Sequence, residues 1–235
     1  MMKKNRRSRK KSFKKRVFSY VMITFTCIFM VSVILTLPLR WLNPFTTTFI
    51  IQEMVTDKKI ISLDWVPYNR MAKTLPVSVV ASEDQKFPDH YGFDFDSLYK
   101  ALTEKRKQTR GASTISQQLV KNMYLWSGRS LIRKGLEAYF TILIEAFLPK
   151  RRILEIYLNV VEFAPAVYGV GAASRQLFNR SPENITAYQA SLLAAVLPNP
   201  KLMSAANPSF YVRKRAAQIR ESVRSLGGAA YLKRL

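Results

Sequence analysis

Residues 111–122 read GASTISQQLVKN, and this stretch opens a long helical pattern that runs to about Trp126. Thr114 and Gln117 have the spacing of a capping box, which marks the start of a helix. Apolar residues then recur with the helical period. No convincing run of alternating strands occurs elsewhere, so the sequence predicts a mainly α domain. Further helices are predicted at about 130–147, 150–160, 169–177, 186–196 and 209–225.

The same stretch presents polar side chains that suit a ligand. Ser113, Gln117 and Lys121 lie four residues apart and therefore share one helical face. A serine-rich helix start followed by a lysine one turn later suits an anionic, oxygen-rich ligand. For Thr114 and Gln117 a purely structural capping role is the alternative.

Upstream, residues 83–94 read EDQKFPDHYGFD and carry a carboxylate pair directly after an apolar run. Glu83 and Asp84 therefore emerge at the edge of a core, which is a plausible place for a general base. The alternative is a helix N-terminus that collects acidic residues. His90 is the single histidine of the chain, which excludes a His-rich zinc site and weakens a Ser/His/Asp interpretation.

Downstream, residues 129–137 read RSLIRKGLE, and Arg129, Arg133 and Glu137 again lie four apart. On one helix they form a cationic stripe that ends in a carboxylate. Taken alone, this pattern is more typical of a solvated face with an i,i+4 ion pair. Residues 150–159, KRRILEIYLN, are interpreted as an amphipathic scaffold helix.

The N-terminus predicts a membrane anchor. Residues 1–16 hold ten Lys or Arg and no acid, and residues 17–39 carry no charge. A helix over 17–39 spans about 34 Å, against about 30 Å for a bilayer core. Basic flanks stay in the cytoplasm. We therefore predict a cytoplasmic tail at 1–16, a transmembrane anchor at 17–39 and an extracytoplasmic domain at 40–235. A buried core helix or a cleaved signal peptide is the alternative, but no small-x-small cleavage site follows the span.

Four ordered motifs together resemble the biosynthetic peptidoglycan glycosyltransferases of glycosyltransferase family 51. They are E-D-x-x-F-x-x-H-x-G at 83–92, G-A-S-T-I-S-Q-Q at 111–118, R-K-x-x-E at 133–137 and I-L-E-x-Y-L-N at 153–159. The resemblance extends from the anchor to the C-terminus and favours the monofunctional members. It implies a lysozyme-like helical fold behind a single transmembrane helix. The family's usual Phe-Gly after the fourth motif is Phe163-Ala164 here, which puts a local turn in doubt.

The resemblance also implies a reaction. The 4-hydroxyl of lipid II attacks the anomeric carbon of a growing lipid-linked glycan, undecaprenyl diphosphate leaves, and the configuration inverts. Glu83 matches the family's catalytic base. Glu137 matches a second functional carboxylate, which orders nearby cations or helps to hold a divalent metal. The implied substrate-binding residues are Asp84, Phe87, Ser113, Thr114, Gln117, Gln118, Lys121, Asn122, Arg129, Arg133 and Lys134.

No tightly bound cofactor is expected, because the sequence has no dedicated metal box. The family often depends on Mg²⁺ or Mn²⁺, so a loosely bound ion stays open. The implied partners are lipid II, the growing glycan and the membrane, with other cell-wall synthesis proteins open. The implied location is the cytoplasmic (inner) membrane, with the catalytic domain on the periplasmic side. The basic segment 100–110 is predicted to close over the substrate.

Two rival functions are weighed against this one. A lysozyme-like lytic hydrolase expels an alcohol and needs a carboxylic acid, whereas a diphosphate leaving group needs cations. The cationic stripe therefore favours the transferase. A nucleic-acid-binding module would explain the net charge of +23. The basic tail is a membrane flank, however, and the other basic residues fall inside the motifs, so no nucleic acid is expected as a partner.

Overall fold

A computed structural model describes residues 2–57, 60–96, 99, 113–128 and 130–235, with side chains from residue 14 onward. Arg129 and the segment 100–110, which was predicted to close over the substrate, lie outside the described residues. The described part is mainly helical, as the sequence predicts.

The N-terminal helix α1 (Met2–Thr36) leads into a 3₁₀ turn at Leu37–Arg40. Its part from Lys14 onward is mostly exposed and is long and apolar enough to cross a membrane. The end of the helix is nevertheless attached to the domain. Thr36 and Leu39 are buried, and the Tyr124 hydroxyl donates to the Leu35 carbonyl at 3.1 Å.

Helix α2 (Thr48–Asp57) has one face in the core and one outside. Ile50 is fully buried, whereas Ile51 and Val55 are exposed, as is Phe45 just before the helix. The apolar stretch that follows α1 therefore contributes some side chains to the core and leaves others exposed.

Two helices are apolar on all sides and form the centre of the domain. In α3 (Thr74–Glu83) every residue from 75 to 81 is buried, and in α8 (Ala187–Val196) every residue from 190 to 196 is buried. A helix without a polar face has to be enclosed by others. Helix α3 accordingly packs against α8 and α9 (Phe210–Ser225). It ends at Glu83, whose side chain is partly exposed at the edge of the core.

Amphipathic helices pack around this centre. Helix α4 (Ile115–Tyr124) packs against both α5 (Leu131–Phe147) and α6 (Lys150–Val160). The predicted capping box is present: the Thr114 hydroxyl accepts from the Gln117 amide, and the Gln117 side chain accepts from the Thr114 amide. The other helical elements described are α7 (Gly169–Phe178) and 3₁₀ turns at Tyr68–Arg70 and Gly228–Arg234.

A short antiparallel hairpin joins α6 to α7, although the sequence predicted no strand. Strands β1 (Glu162–Ala164) and β2 (Val167–Tyr168) are too short to show an alternating pattern. Ala164 lies in β1, and the left-handed conformation falls instead on Ala166, with φ of 61°. An alanine therefore fits at position 164. The glycine that is needed is Gly169, with φ of 77°, because a Cβ there would collide with the Asn159 carbonyl.

Candidate active site

Glu83 lies at the end of α3, with its carboxylate at the polar edge of the core. Its side chain is only 13% exposed. Oε1 accepts from the Ser82 hydroxyl at 3.0 Å, and Arg215 of α9 lies 3.5 Å from the same oxygen. Oε2 accepts from Nε2 of Gln118 at 3.1 Å. The carboxylate is thus held at both oxygens and still reaches the surface, as a general base must.

Asp84 has a different environment from its neighbour. Its side chain is buried and accepts from Nε2 of His90 at 2.9 Å. It also accepts from the backbone N–H of Ile115 at 3.0 Å. Because Ile115 begins α4, Asp84 links the end of α3 to the start of α4. This geometry supports a positioning role for Asp84.

Glu137 on α5 forms a second charged group. Its side chain is 4% exposed, and Oε2 accepts from Nη1 of Arg133 at 2.9 Å. Oε1 accepts from Nζ of Lys134. The predicted cationic stripe is therefore present over Arg133–Glu137, but its carboxylate is buried instead of solvated. Nε of Arg133 is also buried, and no partner for it occurs among the residues described.

Lys121 on α4 connects the two carboxylates electrostatically. Burial lowers the pKa of Lys121; the charges of Glu137 and Glu83 oppose this, while those of Arg133 and Lys134 reinforce it. Its ammonium lies 5.5 Å from the centre of the Phe49 ring. A partly desolvated cation near two further cations is well placed to bind an anion.

Other predicted binding residues are used inside the protein. Thr114 and Gln117 cap α4 and are buried, and the Thr114 hydroxyl also donates to the Gly92 carbonyl at 2.7 Å. Phe87 is fully buried, 4.5 Å beneath the ammonium of Lys150. Asn122 is buried. Ser113 is partly exposed and offers its carbonyl to Gln118 at 3.5 Å. Arg129 lies outside the described residues.

Two site residues escaped the sequence reasoning. Arg215 belongs to a basic helix without a recognisable motif, and only the packing of α9 on α3 brings it to Glu83. Tyr157 lies in the fourth motif, which was interpreted as scaffold. Its hydroxyl donates to Oε1 of Gln118 at 2.7 Å. Full burial, reinforced by the charges of Glu83 and Asp84, raises the pKa of Tyr157 well above its ordinary value.

The described side chains do not form a ready-made site for a divalent metal. Within the described ranges, no three His, Cys, Asp or Glu side chains are grouped as metal ligands. Both oxygens of Glu137 already accept from cations. Of the two roles left open for Glu137, the ordering of cations agrees with the geometry.

Comparisons with known proteins agree with the motifs. The family described as Transglycosylase matches residues 51–224. A biosynthetic peptidoglycan transglycosylase of Pseudomonas fluorescens is 52% identical over 87% of this chain and 88% of the relative. A protein of the same name from Stutzerimonas stutzeri is 49% identical over 87% of each chain. Another, from Chromohalobacter salexigens, is 51% identical over 74% of this chain and 76% of the relative. The chain therefore belongs to the transglycosylase family and is a peptidoglycan glycosyltransferase.

Proposed function

We propose that this glycosyltransferase polymerises lipid II into glycan strands, with undecaprenyl diphosphate as the leaving group and inversion at the anomeric carbon. The proposal is supported by one observation: the two carboxylates of the site have different surroundings. Glu83 is a partly exposed carboxylate, whereas Glu137 is buried against Arg133 and Lys134. Lys121 interacts with both carboxylates. A hydroxyl nucleophile and a diphosphate leaving group make these two different demands on a site.

Glu83 is the proposed general base. It takes the proton of the acceptor's 4-hydroxyl while that oxygen forms the new glycosidic bond. Ser82, Gln118 and Arg215 hold its two oxygens, so little reorientation is needed when the acceptor arrives.

The cations of α4 and α5 are proposed to take the leaving group. As the bond to the donor sugar breaks, negative charge grows on the diphosphate, and Lys121, Arg133 and Lys134 offset it. Glu137 holds Arg133 and Lys134 in place through its two oxygens. No step is assigned to a metal ion. If Mg²⁺ or Mn²⁺ takes part, it would arrive with the substrate's phosphates.

The site is proposed to work at the outer face of the cytoplasmic membrane. The chain would keep residues 1–16 inside, span the bilayer with 17–39 and place 40–235 outside. Support comes from the apolar helix α1 and from apolar side chains exposed near it. These side chains directly follow the helix and are Trp41, Leu42 and Phe45. A C-terminal reporter that is active only in the cytoplasm should be silent, and an active one would contradict this topology.

The reaction is tested by incubating the detergent-solubilised chain with lipid II and digesting the product with a muramidase. We expect a muramidase-sensitive polymer. Glu83→Gln keeps the shape of the side chain and removes its basicity, so polymerisation should fall on the order of 10²-fold or more. Glu183→Gln is the matched control, since Glu183 is exposed and pairs only with Arg70 among the residues described. Near-normal turnover in Glu83→Gln would contradict the mechanism, and absence of polymer from the unmodified chain would contradict the reaction.

A further inference from the structure

A hydrogen-bonded chain starts in the core and ends on Glu83. Tyr157 lies on α6 and is fully buried. Its hydroxyl donates to Oε1 of Gln118 at 2.7 Å. Nε2 of the same amide donates to Oε2 of Glu83 at 3.1 Å. Tyr157 therefore has no direct contact with the carboxylate and can affect it only through the amide.

The orientation of the Gln118 amide is determined by its two partners. An ionised carboxylate only accepts hydrogen bonds, so the amide nitrogen has to face Glu83. The amide oxygen then faces Tyr157, whose protonated hydroxyl supplies the donor that this oxygen needs. The nitrogen makes a second contact with the Ser113 carbonyl at 3.5 Å. The amide is thus largely occupied by the protein itself, which leaves little capacity for a ligand.

The neighbours of Glu83 other than Gln118 contact Oε1 or act only through charge, so Oε2 is left to this amide. Arg215 of α9 lies beside Oε1, at 3.5 Å. Lys121 of α4 acts on Glu83 through charge, and Asp84, the next residue, is bonded to His90 and Ile115. Among the residues that the structure describes, the hydrogen bond to Oε2 comes from Gln118.

We propose that Gln118 and Tyr157 are positioning residues for the catalytic carboxylate: Gln118 orients Glu83, and Tyr157 holds the Gln118 amide. This inference rests on the proposed function, because it takes Glu83 as the base. During a turnover Glu83 accepts a proton and loses the charge that attracts the amide. The hydrogen bond from Tyr157 does not depend on that charge, so it keeps the amide in place until the proton has left.

A double-mutant cycle tests the proposal in the lipid II assay. Tyr157→Phe removes only the hydroxyl, and Gln118→Met removes both polar ends of the amide at similar volume. We expect Tyr157→Phe to lower kcat on the order of tenfold, as part of the contribution of a positioned base, and to leave KM within about twofold. The double variant should be no slower than Gln118→Met alone, because Tyr157 acts through Gln118.

Tyr168→Phe is the matched control. The Tyr168 hydroxyl also donates to a carboxylate, that of Glu53 at 2.9 Å, and the residue belongs to β2, outside the site. Removal of the Tyr168 hydroxyl should leave kcat unchanged. Thermal unfolding of every variant separates loss of fold from loss of rate.

Several outcomes would overturn the proposal. A normal kcat in Tyr157→Phe, a defect confined to KM, or multiplicative losses in the double variant would each do so while leaving the proposed reaction intact. If Tyr157→Phe does not fold, Gln118→Met decides alone, and a normal kcat in that variant rejects the proposal. An unmodified chain that makes no polymer would contradict the proposed function and this inference with it.

Discussion

The Lys121 ammonium is partly buried, and its protonation therefore affects how activity and stability depend on pH. Burial lowers the pKa of Lys121 below the ordinary 10.5, against the opposing charges of Glu137 and Glu83. The free enzyme therefore loses this charge at a lower pH than an ordinary lysine would. Since the unfolded chain holds the proton more tightly, Lys121 also makes the free energy of unfolding rise with pH between the two pKa values.

We predict that kcat/KM for lipid II falls on the alkaline side at a pH below 10.5, the ordinary lysine pKa. Lys121→Arg should move this fall to higher pH, because a guanidinium stays charged throughout the range. The measurement is kcat/KM against pH for both enzymes. Lys73→Arg, at a position outside the site, is the control and should leave the profile unchanged. An alkaline fall at the same pH in an active Lys121→Arg enzyme would reject the assignment.

At the scale of elements, two helices begin with the same capping box but differ in what they carry. Thr114 caps α4, which carries Gln118 and Lys121, and Thr186 caps α8, which carries no predicted site residue. Thr114 makes an additional hydrogen bond to the Gly92 carbonyl at 2.7 Å. Gly92 is itself confined, with φ of 82° and no room for a Cβ beside Thr141. The start of α4 is therefore attached to the segment that follows Glu83.

We predict that Thr114→Val and Thr186→Val both destabilise the protein but only the first lowers activity. Loss of a cap costs about 1 kcal/mol, and Thr114→Val should cost up to about 2 kcal/mol because a second hydrogen bond is lost. Thermal unfolding and the lipid II assay at a temperature where both variants are folded measure the two effects. Equal activity losses in the two variants would show that stability, and not the position of α4, limits the rate.

At the scale of the whole molecule, two arginines attach the end of helix α1 to the domain. Nη1 of Arg40 donates to the Phe147 carbonyl at 2.7 Å. Arg152 of α6 donates to the Leu39 carbonyl and the Leu42 carbonyl, both at 2.8 Å. Arg152 also lies over the Trp65 ring. The junction after α1 is thus held to the same helix that carries Tyr157.

We predict that Arg152→Gln loosens this junction. Amide exchange at Trp41 and Leu42, whose N–H groups bond to the Pro38 carbonyl, should become about tenfold faster or more, because hydrogen bonds to a charged group are lost. Hydrogen–deuterium exchange of the detergent-solubilised full chain measures this. Arg151→Gln is the matched control, because Arg151 stacks on Tyr68 instead and should leave the exchange unchanged. Unchanged exchange in Arg152→Gln would contradict the prediction.

Local patterns in the sequence were sufficient to predict helices α4 to α9 and the apolar N-terminal helix. Helical periodicity predicted α4 to α9 within a few residues, and the Thr114–Gln117 spacing predicted a capping box that is present. These features depend on side chains within one or two turns of each other, so they can be recognised without the tertiary structure. The hairpin after α6 escaped because strands of three and two residues show no period.

The composition of the site was decided by packing between distant segments. The sequence supplied the candidates Glu83, Gln118 and Glu137 through local motifs. Tertiary structure alone brought Arg215 beside Glu83 across more than a hundred residues and Tyr157 beside Gln118. It also turned Thr114, Gln117 and Phe87 inward, and it buried Glu137, which its helical pattern alone favoured as solvated. The reason is physical: spacing along a helix determines which residues share a face, whereas burial and hydrogen-bond partners depend on which other helix covers that face.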